Sequence, residues 1–160
     1  SLLYGAGLRL IECMQLRVKD LDFSYRQIMV RDGKGGKDRV TMLPARLVEP
    51  LQQHLEKVKR LHEQDLVAGF GAVYLPYALE KKYPNAHQEW GWQYVFPARE
   101  RSLDPRSRIE RRHHLTETVL QRAVKQAMRA AGITKPASCH TFRHYAESRT
   151  MPSGVEVTHA

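Results

Sequence analysis

Between Arg46 and about Ala68, Leu47, Leu51, Leu55, Val58 and Leu61 recur at intervals of three or four residues. No other feature restricts the fold as strongly, because that period puts all five on one side of a long α-helix that must find an apolar surface to cover. The segments before it follow another rhythm. Leu21 and Phe23, then Ile28, Met29 and Val30, then Val40, Met42 and Leu43 read as three short strands. The last two flank Asp32-Gly33-Lys34-Gly35-Gly36-Lys37, whose glycines supply the positive φ that a hairpin loop needs. Ahead of the strands, Gly5 and Gly7 mark a turn, and Leu8, Ile11, Cys13 and Leu16 have helical spacing.

Residues 69–105 are less regular and rich in aromatics, with a short helix expected over 75–83 and stopped by Pro84. A last helix is expected from the N-cap Thr116 to Ala131, ending at Gly132, with Leu120, Ala123, Val124, Ala127 and Met128 as its buried stripe. The expected fold class is α+β, mainly helical, with a small antiparallel sheet near the N-terminus.

The 160 residues suit one domain of ordinary size. Lys and Arg number 26 against 17 Asp and Glu, a net charge of +9, and the pI is near 9.8. Such a balance favours polyanionic partners, nucleic acid first and an anionic membrane surface second; a merely solvated basic surface would carry the same charge. The two cysteines, Cys13 and Cys139, are too few for a disulfide framework and suit a reducing compartment. No apolar run approaches the ~20 residues of a membrane-spanning helix. The opening Ser1-Leu2-Leu3-Tyr4-Gly5 reads as the interior of a domain, so a fragment is expected.

Three groups of residues could carry chemistry. The loop DGKGGKDR is not a nucleotide-binding P-loop, since no Ser or Thr follows its lysine and a strand follows rather than a helix. As a hairpin tip it carries Lys34 and Lys37 to where they could enter a DNA groove; a solvated turn is the plain alternative. Cys139, His140 and His144 invite a metal reading, as in a metal-dependent hydrolase. Thr141 stands where the zinc-protease pattern has glutamate, and paired cysteines are lacking, so no metal is expected. The neighbours His113 and His114 would diverge by roughly 100° on a helix. Arg9 follows Gly5-Ala6-Gly7-Leu8 into a helix, where its planar fork could take two phosphate oxygens, with Glu12 one turn on to orient it. An ordinary exposed Arg–Glu helix pair is the alternative.

Taken in order, Gly7-Leu8-Arg9-x-x-Glu12, a hairpin with Gly33-Lys34-Gly35, and His140-x-x-Arg143-His144 resemble the catalytic domain of tyrosine recombinases. LYGAGLRL, LRVKDLDF, GKGGKDR, LPYALEKKYPNA, LDPRS, RRHHLTETVLQRAV and AGITKPASCHTFRH resemble the integron integrases among them. Residues 70–92 are similar to the insertion that sets integron integrases apart, and the resemblance covers roughly residues 1–144.

It implies phosphoryl transfer on DNA with no cofactor: a tyrosine attacks the scissile phosphate while Arg9 and Arg143 hold its non-bridging oxygens, Lys34 protonates the leaving oxygen and His140 assists proton handling. It also implies that Trp92, Pro105, His113 and His114 receive bases extruded from a folded single-stranded site, each stacked base worth ~1–3 kcal/mol. Lys37, Arg111 and Arg112 belong to the DNA-binding set as part of the basic surface.

The expected organisation is a partial catalytic domain over 1–148 and a divergent, disordered tail over 149–160. After His144 the sequence departs from the family pattern: Tyr145-Ala146-Glu147-Ser148 replaces the usual small apolar continuation and no nucleophilic tyrosine is recognised. The expectation is a DNA partner, a phosphate-clamping half-site that is catalytically incomplete, weak or no self-association, no membrane or small-molecule ligand, and a bacterial cytoplasmic setting. A non-catalytic nucleic-acid-binding module on the same scaffold is the alternative.

Overall fold

The structure is a computed structural model, and it describes residues 2–31 and 37–134. The chain opens with two short helices, α1 (Leu2–Gly5) and α2 (Leu10–Met14), where the sequence suggested one helix over 8–16. Gly7, at φ +62°, breaks the path between them. Leu8 is thereby turned into the core, and Arg9 is left in extended backbone as the residue that caps α2.

Strands β1 (Leu21–Asp22), β2 (Gln27–Val30) and β3 (Arg39–Met42) form a three-stranded antiparallel sheet in that order, with Ile28 opposite both Leu21 and Thr41. The strands fall where the apolar pattern put them, but β3 faces the other way. Val40 and Met42 are exposed, while Arg39 and Thr41 point inward, the Thr41 hydroxyl donating to the Ala6 carbonyl at 3.0 Å. Alternation has a period of two, so one register decides the face of every side chain in the strand.

Helix α3 (Ala45–Val67) follows, burying Leu51, Leu55 and Val58. The same stripe continues into polar residues: His62 and Asp65 are buried one and two turns further on. The helix closes at Gly69, φ +83°, with Gly69 N–H donating to the Leu66 carbonyl and Phe70 N–H to the Asp65 carbonyl, the paired bonds of a glycine C-cap.

Helix α4 (Tyr77–Lys82) is shorter than the expected 75–83, because Pro76 begins it and Tyr83, before Pro84, has already left helical geometry. Single 3₁₀ turns over Ala86–Gln88 and Trp90–Trp92 then lead to a hairpin that the sequence did not suggest, β4 (Ser102–Leu103) and β5 (Glu110–Arg111). Its turn is organised by Asp104, whose carboxylate accepts the Arg106 N–H at 2.9 Å. Helix α5 (Glu117–Ala130) starts after Thr116 as expected and closes through Ile133 N–H on the Met128 carbonyl. Its expected stripe is only half covered. Leu120, Val124 and Met128 are partly buried, whereas Ala123 and Ala127 are exposed among the described residues.

Among the described residues two apolar clusters result. The larger gathers Leu8, Met14, Ile28, Leu43, Leu55 and Val95 between α1, α2, the sheet and α3. A smaller one, Val73, Leu75, Ala86 and Tyr94 with Trp92 packed against it, lies largely within the irregular aromatic segment. Arg17 joins them. Its Nη1 donates to the Trp92 carbonyl at 2.6 Å and its Nη2 to the Tyr74 carbonyl at 2.8 Å. Beside it the backbone bridges Arg17 to Tyr94, and Val18 N–H and Val95 N–H complete the seam on the Gln93 and Leu16 carbonyls.

Candidate nucleic-acid interface

Arg9 is placed by the turn that precedes α2. Its backbone N–H donates to Glu12 Oε2 and its Nη1 to Glu12 Oε1, each at 2.8 Å, so one carboxylate fixes both the start of the helix and the direction of the guanidinium. Arg39, on the inward face of β3, reaches the same carboxylate with Nη1 and Nη2, both at 2.8 Å. Glu12 is buried, yet Arg9 and Arg39 keep 32% and 35% of their side-chain surface. Burial alone would raise the Glu12 carboxyl, but the hydrogen bonds from Arg39 and Arg9 outweigh it and lower its pKa from 4.5 to about 2. The product is two partly exposed guanidiniums held side by side on a permanently ionised carboxylate, a geometry suited to gripping an anion with several oxygens. Sequence reasoning paired Glu12 with Arg9 and missed Arg39. The apolar Val40 and Met42 marked the opposite face of the strand as the inward one, so no local pattern pointed to Arg39.

Beyond Glu12 the surface opens into a cleft of about 240 Å³ lined by Glu12, Arg17, Asp20, Arg31, Tyr74 and Trp92, among others. It adjoins a second, of about 400 Å³, that shares Arg31, Leu79 and Trp92 and adds Lys19, Tyr83, Ala86 and Glu89. Asp20, buried on the wall of the first cleft, accepts Arg31 Nε at 2.7 Å and the Arg17 N–H at 3.1 Å. Trp92, expected at a base pocket, is partly buried and borders both clefts, with Lys19 Nζ 2.8 Å from its ring centroid.

The other expected residues are spread more widely. Lys37 is exposed at the foot of the hairpin and Pro105 is exposed in the β4–β5 turn. His113 and His114 are partly buried; His114 Nδ1–H donates to the Leu115 carbonyl at 2.8 Å, and its ring meets Tyr94 edge-on at 5.2 Å. Tyr94 therefore lies between the Trp92 cleft, whose wall it forms, and His114.

Arg111 and Arg112 do not occupy the solvent-facing positions that the cationic run suggested. Arg111 is 4% exposed, and it donates to the Val73 carbonyl and lies 3.4 Å from Glu80 and 3.8 Å from Asp104. Arg112 grips Asp65 through Nε at 2.6 Å and Nη2 at 2.9 Å, while its Nη1 donates to the Ala98 and Arg99 carbonyls. Their charge is consumed inside the fold because buried carboxylates and carbonyls lie within reach. Lys34, His140 and Arg143, with the tail over 149–160, lie outside the described residues.

The fold and the guanidinium-carboxylate site together define an α+β domain of the tyrosine recombinase type. The solved XerA recombinase superimposes with a TM-score of 0.59 over 93% of this chain and 40% of its own, at 23% identity. The phage integrase family matches residues 1–159, and the chain belongs to it. An integrase/recombinase of Escherichia coli is 47% identical over 157 residues, which are 98% of this chain and 47% of that protein. Tyrosine recombinase XerD of Agrobacterium fabrum is 29% identical over 158 residues, 98% of this chain and 41% of its own. The chain thus spans about half, or less, of the length of these curated relatives. Among the described residues no helix is long and apolar enough to cross a membrane.

Proposed function

We propose that the chain serves site-specific DNA recombination as the phosphate-gripping part of an integron-type integrase. The observation that carries this reading is the Arg9–Glu12–Arg39 arrangement, in which a buried carboxylate orients two guanidiniums without exhausting their exposed surface. A phosphodiester in its pentacovalent transition state gains negative charge on its non-bridging oxygens, and fixed guanidiniums stabilise that charge more than they stabilise the ground state. Arg9 supplies one such contact. By resemblance Arg143 supplies another, Lys34 protonates the leaving oxygen and His140 handles protons near the phosphate, with neither metal nor cofactor in the reaction. The nucleophile is not assigned to any tyrosine of this sequence; the last of them, Tyr145, stands only two residues beyond Arg143.

Recognition in this reading rests on extruded bases. Trp92 with Tyr83 and Leu79 forms the walls of a cleft large enough for a nucleobase. Pro105, His113 and His114 form a second contact region, and Lys37 contributes to the basic surface. The protein acts in the bacterial cytoplasm and associates weakly with itself.

The test is binding, across a salt series, to a folded hairpin with unpaired extrahelical bases and to a fully paired duplex of equal length. Preference for the bulged hairpin that is lost in Trp92→Leu supports the reading. Equal, steeply salt-dependent binding to both leaves only a general nucleic-acid-binding module. Covalent trapping on a nicked suicide substrate, absent from the chain alone, supports the unassigned nucleophile; a trapped adduct overturns it.

A further inference from the structure

Lys19 has an unusual position. It projects from the 3₁₀ turn Val18–Asp20, and its stem packs against the Trp90–Trp92 turn so closely that a Cβ on Gly91 would lie 3.5 Å from the Lys19 Cβ. Its ammonium sits on the face of the Trp92 ring, 2.8 Å from the centroid. Lys19 and Trp92 both line the cleft of about 400 Å³, so a planar ligand stacking on this ring face would meet the ammonium. Among the described residues Lys19 makes no hydrogen bond or ion pair. Burial, then the nearby Arg31, shifts its pKa downward against the opposing pull of Asp20 and Glu89.

The contrast with Arg17 is informative. Arg17 also approaches Trp92, with Cζ 5.9 Å from the centroid, but its terminal nitrogens are tied to the Trp92 and Tyr74 carbonyls and it cannot leave without opening the seam between the two cores. Lys19 is tethered only through its stem. A cation on an aromatic ring and a nucleobase on the same ring are contacts of similar strength, so a base alone gains little by displacing the ammonium. The balance changes when the displaced ammonium acquires a phosphate. The groove also continues past Arg31 to Glu12, the carboxylate that holds Arg9, so a strand whose base enters at Trp92 has its backbone directed toward the guanidiniums.

We propose that Lys19 is a displaceable cap on Trp92: in the free protein its ammonium covers the ring, and an unpaired base stacks there only as the ammonium shifts onto a phosphate flanking that base. This inference rests on the reading of Trp92 as a base-stacking residue. It assigns Lys19 a positioning and specificity role: the site discriminates for a base that arrives with its own backbone anion, and against apolar or uncharged planar molecules of similar size.

The experiment uses two DNA hairpins of one sequence, each with a single extrahelical 2-aminopurine. In one the flanking phosphates are native; in the other they are uncharged methylphosphonates. Dissociation constants and 2-aminopurine quenching are measured for the unaltered chain, Lys19→Met and Trp92→Leu, with thermal melts to establish that each is folded. The unaltered chain is expected to bind the charged hairpin about tenfold more tightly than the neutral one. Lys19→Met should bind the two within about twofold and should bind the neutral hairpin roughly threefold more tightly than the unaltered chain does, since its ring is uncovered.

A Lys19→Met chain that keeps the original charged-to-neutral ratio overturns the cap, as does one that weakens on both hairpins equally. Trp92→Leu separates the two levels. Loss of quenching there, with an unchanged ratio in Lys19→Met, leaves base stacking standing and removes the cap. Undiminished quenching in Trp92→Leu removes base stacking at Trp92 and the cap with it.

Discussion

Glu12 and Asp65 are near copies of one another in local chemistry and differ in how far the fold encloses their arginines. Each is a buried carboxylate held by two arginines, Glu12 by Arg9 and Arg39 and Asp65 by Arg101 and Arg112. Each has its pKa lowered although burial pushes the other way. At Asp65 it is Arg112 that spends its donors inside the fold, serving two carbonyls as well and remaining 12% exposed, while Arg101, 28% exposed, is tied down further by Glu110 and lies over the Phe70 ring. At Glu12 the same pairing leaves about a third of each arginine side chain in solvent. A buried carboxylate with two arginines is thus not a site in itself. What differs is how much of the paired arginines the fold leaves to solvent, with the largest gap between Arg39 at 35% and Arg112 at 12%.

The comparison can be broken most forcefully at Asp65. Asp65→Ala leaves Arg101 and Arg112 without their shared buried acceptor and should cost about 3–5 kcal/mol of stability in urea unfolding. A loss below ~1 kcal/mol would mean that this cluster is not the structural member of the pair.

Acid provides the next largest effect. A carboxylate whose pKa is lowered by folding contributes stability that is complete above its ordinary value and lost as pH falls through its folded value. For Glu12 the contribution is therefore whole above pH 4.5 and gone near pH 2. It amounts to at most about 3 kcal/mol at neutral pH. Glu12→Gln should flatten the pH dependence of unfolding across that window. An unchanged slope would show that the arginines do not hold the carboxylate ionised.

Arg17→Lys sharpens the point with an arginine that uses carbonyls instead of a carboxylate. An ammonium cannot serve the Trp92 and Tyr74 carbonyls as the guanidinium fork does, and a loss of about 1–2 kcal/mol is expected by thermal unfolding.

The smallest stability change should come from Arg9→Ala, within about 1 kcal/mol. Its effect belongs to binding instead: DNA affinity should fall at low salt, and the slope of log K against log salt should become shallower by about one. If Arg9→Ala unfolds the chain as Asp65→Ala does, the distinction between a solvent-facing and an enclosed guanidinium fails.

Much of the framework was legible from local pattern. The three-or-four spacing of Leu51, Leu55 and Val58 marked α3, Thr116 and Gly132 bracketed α5, and two apolar runs around a glycine-rich loop marked β2 and β3. The link from Arg9 to Glu12 was also readable, since one helical turn separates them. Misjudged elements had weak or competing local signals. The β4–β5 hairpin has only two residues per strand, too few for alternation to register, and Gly7 divided a helical pattern whose apolar spacing ran straight across it.

By itself, then, the sequence determined the basic charge, which is a sum over composition, and the periodic elements and the Arg9–Glu12 pair, which arise from neighbours within one or two turns. Only the tertiary structure decided which cations remain available. Arg112 reaches Asp65 across 47 residues, Arg39 reaches Glu12 across 27, and Lys19 meets a tryptophan that arrives from the far side of α3. A hydrogen-bond donor is satisfied or left over according to what the chain brings within about 3 Å of it. Composition and spacing count the arginines, but long-range packing determines which of them can still hold a ligand.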